Sequence, residues 1–195
     1  MKRFTSLAAA LVLTTAAYAQ DAPTPRGNTT ATVGGKKVTV NYGRPALKGR
    51  KMDDLLKQLP EDRMWRAGEN QVTTLTTEGP ILLGGKKVAA GTYSLYVNAP
   101  ATGDWSIALN TDKGVALGKI WDKAPDNMKN EPWPRLEDYT KSVATSEVAR
   151  VPLKTGAANA PAENLTVTFA PAGNGATMTL AWGEKTWSVD VKPAQ

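Results

Sequence analysis

The chain contains neither cysteine nor histidine. Without cysteine no disulfide staples the fold, and attachment to lipid through a cysteine is excluded. Without histidine the commonest general base and the commonest metal ligand are missing. Ser-His-Asp and Cys-His centres are therefore impossible, and so is a usual zinc site, which draws on the same two residue types. No Asp-x-Asp-x-Asp-Gly loop is present for calcium, so no metal is expected. Ser-x-x-Lys, Gly-x-Ser-x-Gly, Gly-x-Gly-x-x-Gly and phosphate-loop patterns are likewise absent, so no cofactor is expected and no catalytic residue is assigned. No apolar run reaches the roughly 20 residues of a membrane-spanning helix.

Charge is modest. The formal net charge is +6. The lysines stand in separate pairs and short clusters, at Lys36-Lys37, Lys48 to Lys51 and Lys86-Lys87, without interleaved aromatics. Nucleic-acid binding is disfavoured on that pattern, whereas attraction to anionic envelope polymers is compatible with it. At the N-terminus Lys2 and Arg3 precede an apolar run over 7–18, which ends at Ala17-Tyr18-Ala19. That order reads as a secretory signal peptide over 1–19, cleaved after Ala19, and it predicts a periplasmic or secreted protein. Removing 19 residues from 195 leaves 176, enough for a single domain with its own core. Residues 20–28 read as a flexible lead-in.

From residue 29 the dominant signal is alternation of apolar and polar residues, the mark of half-buried strands. It runs over 29–33 and 36–42, where Val38, Val40 and Tyr42 share a face. It recurs over 72–77, 93–98, 105–110, 115–121 and 147–154, with Pro152 pointing to an edge. Gly34-Gly35 and Gly84-Gly85 are two-residue hairpin turns, the second joining 81–83 to 86–88. Near the C-terminus Leu165, Val167 and Phe169 share a face, then Met178, Leu180 and Trp182, then Trp187, Val189 and Val191. A turn at Gly183-Glu184 would join the last two sets. Residues 155–162 read as a Gly/Ala/Pro linker. Residues 122–145 hold three prolines and read as an irregular insertion of the long kind that often carries function. Met52, Leu55, Leu56 and Leu59 at helical spacing predict one short helix over 52–59, closed by Pro60. About nine or ten strands at this spacing predict an all-β fold, an antiparallel β-sandwich or flattened barrel occupying 29–192.

These residues resemble a known family, the uncharacterised exported proteins of the bacterial domain of unknown function 2911. The likeness lies in Tyr42-Gly43-Arg44-Pro45, Lys48-Gly49-Arg50 and Trp65-Arg66-Ala67-Gly68-Glu69-Asn70. It continues through Gly84-Gly85-Lys86-Lys87, Ala90-Gly91-Thr92-Tyr93-Ser94-Leu95 and Trp105-Ser106-Ile107-Ala108-Leu109-Asn110. The resemblance implies an exported β-rich domain and carries no activity with it.

Two Arg-bearing stretches are the candidate site: Tyr42 and Arg44 in the first, Trp65, Arg66, Glu69 and Asn70 in the second. An arginine fork binds carboxylate or phosphate bidentately, and Trp65 would add a flat wall. The competing reading is a latch, in which an arginine pairs with Glu69, Trp65 plugs the end of the core, and Gly68 and Asn70 shape the turn. Trp105, Trp182 and Trp187 lie on strand faces and read as core, while Trp121 and Trp133 are the candidates for a sugar-stacking platform. Asp53, Asp54, Glu61, Asp62 and Glu69 are available to a carboxylate-only hydrolase, which needs two acids roughly 5 to 9.5 Å apart. The expected function is a non-enzymatic module that binds a small anionic or glycan-like ligand, or an envelope partner. The alternatives are a glycan or ester hydrolase and a purely structural envelope protein.

Overall fold

The computed structural model describes residues 26–135 and 139–194. The expected signal peptide over 1–19 and most of the lead-in lie outside the described residues.

The first ribbon is β1 (Gly27–Val33) and β2 (Lys36–Tyr42). Gly34 and Gly35 turn it with φ of +56° and +77°, the two left-handed positions that a tight hairpin requires. β1 starts earlier than its alternation suggests. Gly27 and Asn28 pair with Tyr42 and Asn41 and are strand, not lead-in. Arg26, just before them, donates to Asn41 Oδ1 and to the carbonyls of Gln71 and Val72. Helix α1 (Met52–Leu56) ends three residues short of the expected 59. The backbone there tightens into bonds from Gln58 to Leu55 and from Leu59 to Leu56, the three-residue spacing that closes many helices. Met52, Leu55, Leu56 and Leu59 still pack on the core.

β3 (Met64–Trp65), β4 (Thr74–Thr77), β5 (Ile81–Leu83), β6 (Lys86–Val88), β7 (Gly91–Asn98) and β8 (Ser106–Asn110) follow. The strand expected over 115–121 is only the bridge β9 (Val115–Ala116), because the chain coils into a 3₁₀ turn from Leu117. β10 (Pro132–Trp133) pairs with it. Then come a second short helix, α2 (Tyr139–Ser142), and β11 (Glu147–Pro152), β12 (Lys154–Ala172) and β13 (Gly175–Pro193).

The strands form two main antiparallel sheets, and neither closes into a barrel. One runs β1-β2-β4-β7-β8-β11 with β3 on β7, and the other runs β12-β13-β5-β6. Pro152 lies on an edge strand, where its missing N–H costs no ladder bond. The sheets enclose one core. Val38, Val40, Leu75, Leu95 and Ile107 face Leu83, Leu165, Met178, Leu180 and Val191 across it. Four indoles cross this interior: Trp65 stacks on Trp182 at 5.5 Å and meets Trp187 edge-on, and Trp187 stacks on Trp105 at 4.4 Å.

Two C-terminal expectations are corrected. The presumed linker over 155–162 is the first half of β12, a strand exposed on both faces and hence without alternation. The presumed turn at Gly183-Glu184 lies inside the continuous strand β13. Buried apolar side chains along β13 are at even positions up to Trp182 and odd ones from Trp187, so the strand must shift phase between them. The change falls at Gly183, which takes φ of +59°, where pairing is irregular and skips from Ala157↔Lys185 to Ala162↔Gly183 with the extra residues on β12. The hairpin turn is instead at Gly173-Asn174.

β7 is buried on both faces. Its outer side and that of β8 are covered by α2 and the residues after it, which gives a second apolar cluster of Met64, Tyr96, Ala108, Tyr139 and Val143. The end of the expected insertion is thus a third layer over the large sheet. Tyr139 anchors it, donating to Asn110 Oδ1 or Glu147 Oε2 at 2.9 and 2.8 Å. Among the described residues, no helix is long and apolar enough to cross a membrane.

Candidate functional site

The site begins with β3. Its two residues pair with β7 as Met64↔Asn98 and Trp65↔Val97. Successive side chains in a strand point to opposite faces, so Trp65 enters the core while Met64 joins the outer cluster. Continued by one residue, the same register carries Arg66 towards Tyr96. Arg63 braces the approach. It donates from Nε to the Ala99 carbonyl at 3.0 Å and from Nη1 to the Leu56 carbonyl at 2.6 Å. Asn98 Nδ2 donates to the Asp62 carbonyl from the other side.

Between this bracket and the third layer lies a cavity of about 200 Å³. Its charged residues are Asp62, Arg66 and Arg135, its phenols Tyr96 and Tyr139, and its apolar wall Leu59, Pro60, Met64 and an edge of Trp65. Arg66 is half-buried and has no hydrogen-bond or ion-pair partner among the described residues. Burial holds its pKa below the usual arginine value, with Glu69 and then Tyr96 pulling it back up. It still stays charged at any physiological pH. Arg135 is tethered through Nε to Asp112 Oδ2 at 3.1 Å. Tyr96 is 4% exposed, and its hydroxyl also lacks a partner among the described residues. Burial, helped by Asp112 and opposed by Arg135 and Arg66, pushes its phenol up to about 12. At neutral pH Tyr96 is therefore a protonated donor. Asp62 accepts from the Met64 N–H through Oδ1 at 3.0 Å, while its buried Oδ2 has no partner.

The two expected stretches do meet, but through their backbones. A Cβ on Gly43 would lie 2.1 Å from the Glu69 carbonyl oxygen, and one on Gly68 would lie 3.2 Å from Gly43 N. Their side chains divide between roles. Tyr42 is core, its hydroxyl accepting from Val167 N at 2.8 Å. Trp65 is mainly core and lends one edge to the cavity. Arg66 lines the cavity. Arg44, Glu69 and Asn70 do not. Arg44 is half-buried with its Nε unpartnered, Glu69 acts on Arg66 only through its field, and Asn70 shapes the turn with φ of +60°. No ion pair joins Glu69 to either arginine among the described residues, so the latch contact anticipated from sequence does not form. Tyr96, Arg135 and Tyr139 were not anticipated. The available signal was Tyr96, the one aromatic on the outward face of a strand whose other outward residues are Thr92, Ser94 and Asn98. Trp121 is 47% exposed and Trp133 half-buried, and neither lines this cavity.

A larger groove of about 670 Å³ lies beside Gly84, Leu153, Lys154 and Asp190. Lys154 and Asp190 already face each other there at 3.8 Å. None of the buried unpartnered polar atoms among the described residues belongs to that groove. The smaller cavity is the better candidate: it holds one of those atoms, the acceptor Asp62 Oδ2, beside the Arg66 and Tyr96 donors, which have no hydrogen-bond partner among the described residues.

A family model described as "Protein of unknown function (DUF2911)" matches residues 24–191. Comparisons with curated proteins and with solved structures return no match.

Proposed function

The chain belongs to the DUF2911 family, whose description carries no activity, and from the chemistry of the cavity we propose an exported β-sandwich module that binds a small anionic ligand beside Arg66. The observation that carries this reading is the half-buried Arg66 guanidinium. It has no partner among the described residues and shares a cavity with a second guanidinium, Arg135. A charge withdrawn from water without a partner is costly. An anion that accepts two parallel bonds from the fork removes that cost. Replacing Arg66 with Met tests it: small-anion binding, read by calorimetry, should vanish while the circular dichroism spectrum stays unchanged. Undiminished binding would reject the site.

Export is supported by Lys2 and Arg3, the apolar run over 7–18 and Ala17-Tyr18-Ala19. Mass spectrometry of the secreted or periplasmic protein should find a chain beginning at Gln20, and retention of Met1 would reject this half of the reading. A carboxylate-dependent hydrolase has thinner support. It needs two facing acids, and among the described residues Asp62 is the one carboxylate on the cavity wall. A purely structural role leaves the unpaired Arg66 and Tyr96 without a purpose.

A further inference from the structure

We infer that the ligand is an amphiphilic monocarboxylate, an aryl or short aliphatic acid, and not a bare inorganic anion. The inference rests on the anion-binding reading above and adds to it the ligand's class.

Three observations carry it. The first is shape. A cavity of about 200 Å³ holds the equivalent of roughly seven waters, each taking about 30 Å³ of liquid. A tetrahedral oxyanion would leave much of that space, and the wall of Leu59, Pro60, Met64 and Trp65, in contact with water. An apolar body of several carbons would cover it. The second is charge. Arg66 and Arg135 are opposed by Asp62 on the same wall, by Asp112 bonded to Arg135, and by Glu69 acting on Arg66. Two cations against three carboxylates sum to −1 before any ligand binds, so the group as a whole repels a dianion twice as strongly as a monoanion, and the attraction rests on the Arg66 fork alone. The third is the donor set. The Arg66 fork matches a planar carboxylate, and Tyr96, more than nine-tenths buried and unpartnered, adds a neutral donor beside it. The ring or chain of the acid then lies along the Trp65 edge and the Tyr139 ring.

The test uses the mature wild-type chain with three probes: phenylacetate, its neutral isostere phenylacetamide, and inorganic phosphate. Phenylacetate should bind saturably, one per chain. The amide should bind roughly ten- to a hundredfold more weakly, because charge-assisted hydrogen bonds are lost. Phosphate should also be weaker than phenylacetate, by about tenfold or more, because it covers none of the apolar wall. Tyr96→Phe should weaken phenylacetate about ten- to a hundredfold, the worth of one hydrogen bond to a charged group. Phosphate binding as tightly as phenylacetate would overturn the monocarboxylate class and leave anion binding standing. Equal binding of the amide, or no binding of any probe at millimolar concentration, would overturn both. The ligand series on the wild-type chain decides the matter even where a variant fails to fold.

Discussion

Arg66→Met separates a binding site from a structural latch, because the two roles give stability changes of opposite sign. Methionine keeps the length and apolar stem of the side chain and deletes the guanidinium. A fully buried polar group without a partner costs about 1–3 kcal/mol, more when charged. Arg66 is only half-buried, so water recovers part of this. The attraction of Glu69 offsets a further fraction, less than about 1 kcal/mol for a solvated pair. The net expectation is that the ligand-free variant is more stable than wild type by about 0.5–1 kcal/mol, seen as a rise in Tm of roughly 1–4 °C for a domain of this size. Urea unfolding followed by tryptophan fluorescence reads the change, with an unaltered m-value showing that the same surface is exposed. Saturating phenylacetate should reverse the order: a ligand at a hundred times its Kd adds about 2.7 kcal/mol to the wild type alone. A ligand-free variant less stable by more than about 1 kcal/mol would refute the reasoning and make the guanidinium a structural element.

Other expectations follow from contacts described above. Gly43→Ala places a methyl 2.1 Å from the Glu69 carbonyl, a backbone atom that cannot swing aside, and should cost about 3 kcal/mol in a thermal melt. Burial raises the Glu147 pKa, but the hydrogen bonds from Arg150 and Tyr139 outweigh it and hold the carboxyl below its ordinary value of 4.5. Its contribution is thus complete above pH 4.5 and lost as pH falls through the lowered value, so Glu147→Gln should flatten the acid limb of the stability curve. Tyr96, raised to about 12 from 10.0, contributes fully below pH 10 and loses that contribution as pH climbs towards 12. Spectrophotometric titration should show late phenolates from Tyr96 and from Tyr139, which burial and its hydrogen bond to Glu147 also raise, and Tyr96→Phe should remove one of them.

Strands were legible in the sequence where one face meets the core and the other meets water. The segment 36–42 shows this alternation, and β2 spans it residue for residue. The Gly-Gly turns were legible because few residues other than glycine tolerate two successive left-handed positions. The first half of β12 was not legible, since exposure on both faces removes the period and leaves a composition that reads as linker. It is a strand because β13 supplies ladder partners to residues 154–157 and to Ala162. The break of phase at Gly183 was visible, but an irregularity within a strand and a turn leave the same trace in apolar periodicity. At the site, Arg66 stood out as a charge directly after a core tryptophan. Tyr96 and Arg135 could not be joined to it, because their proximity depends on strand pairing and on the third layer, both long-range in sequence.

The third layer is laid over a sandwich whose main interior is already closed. Mutations in Arg135, Tyr139 or the residues around α2 can therefore remodel the proposed ligand pocket while the stacking of Trp65, Trp182, Trp187 and Trp105 beneath is kept. Under the proposed binding role, relatives that share this sandwich are free to differ in ligand, with the variation expected in that cover and not in the strands it rests on.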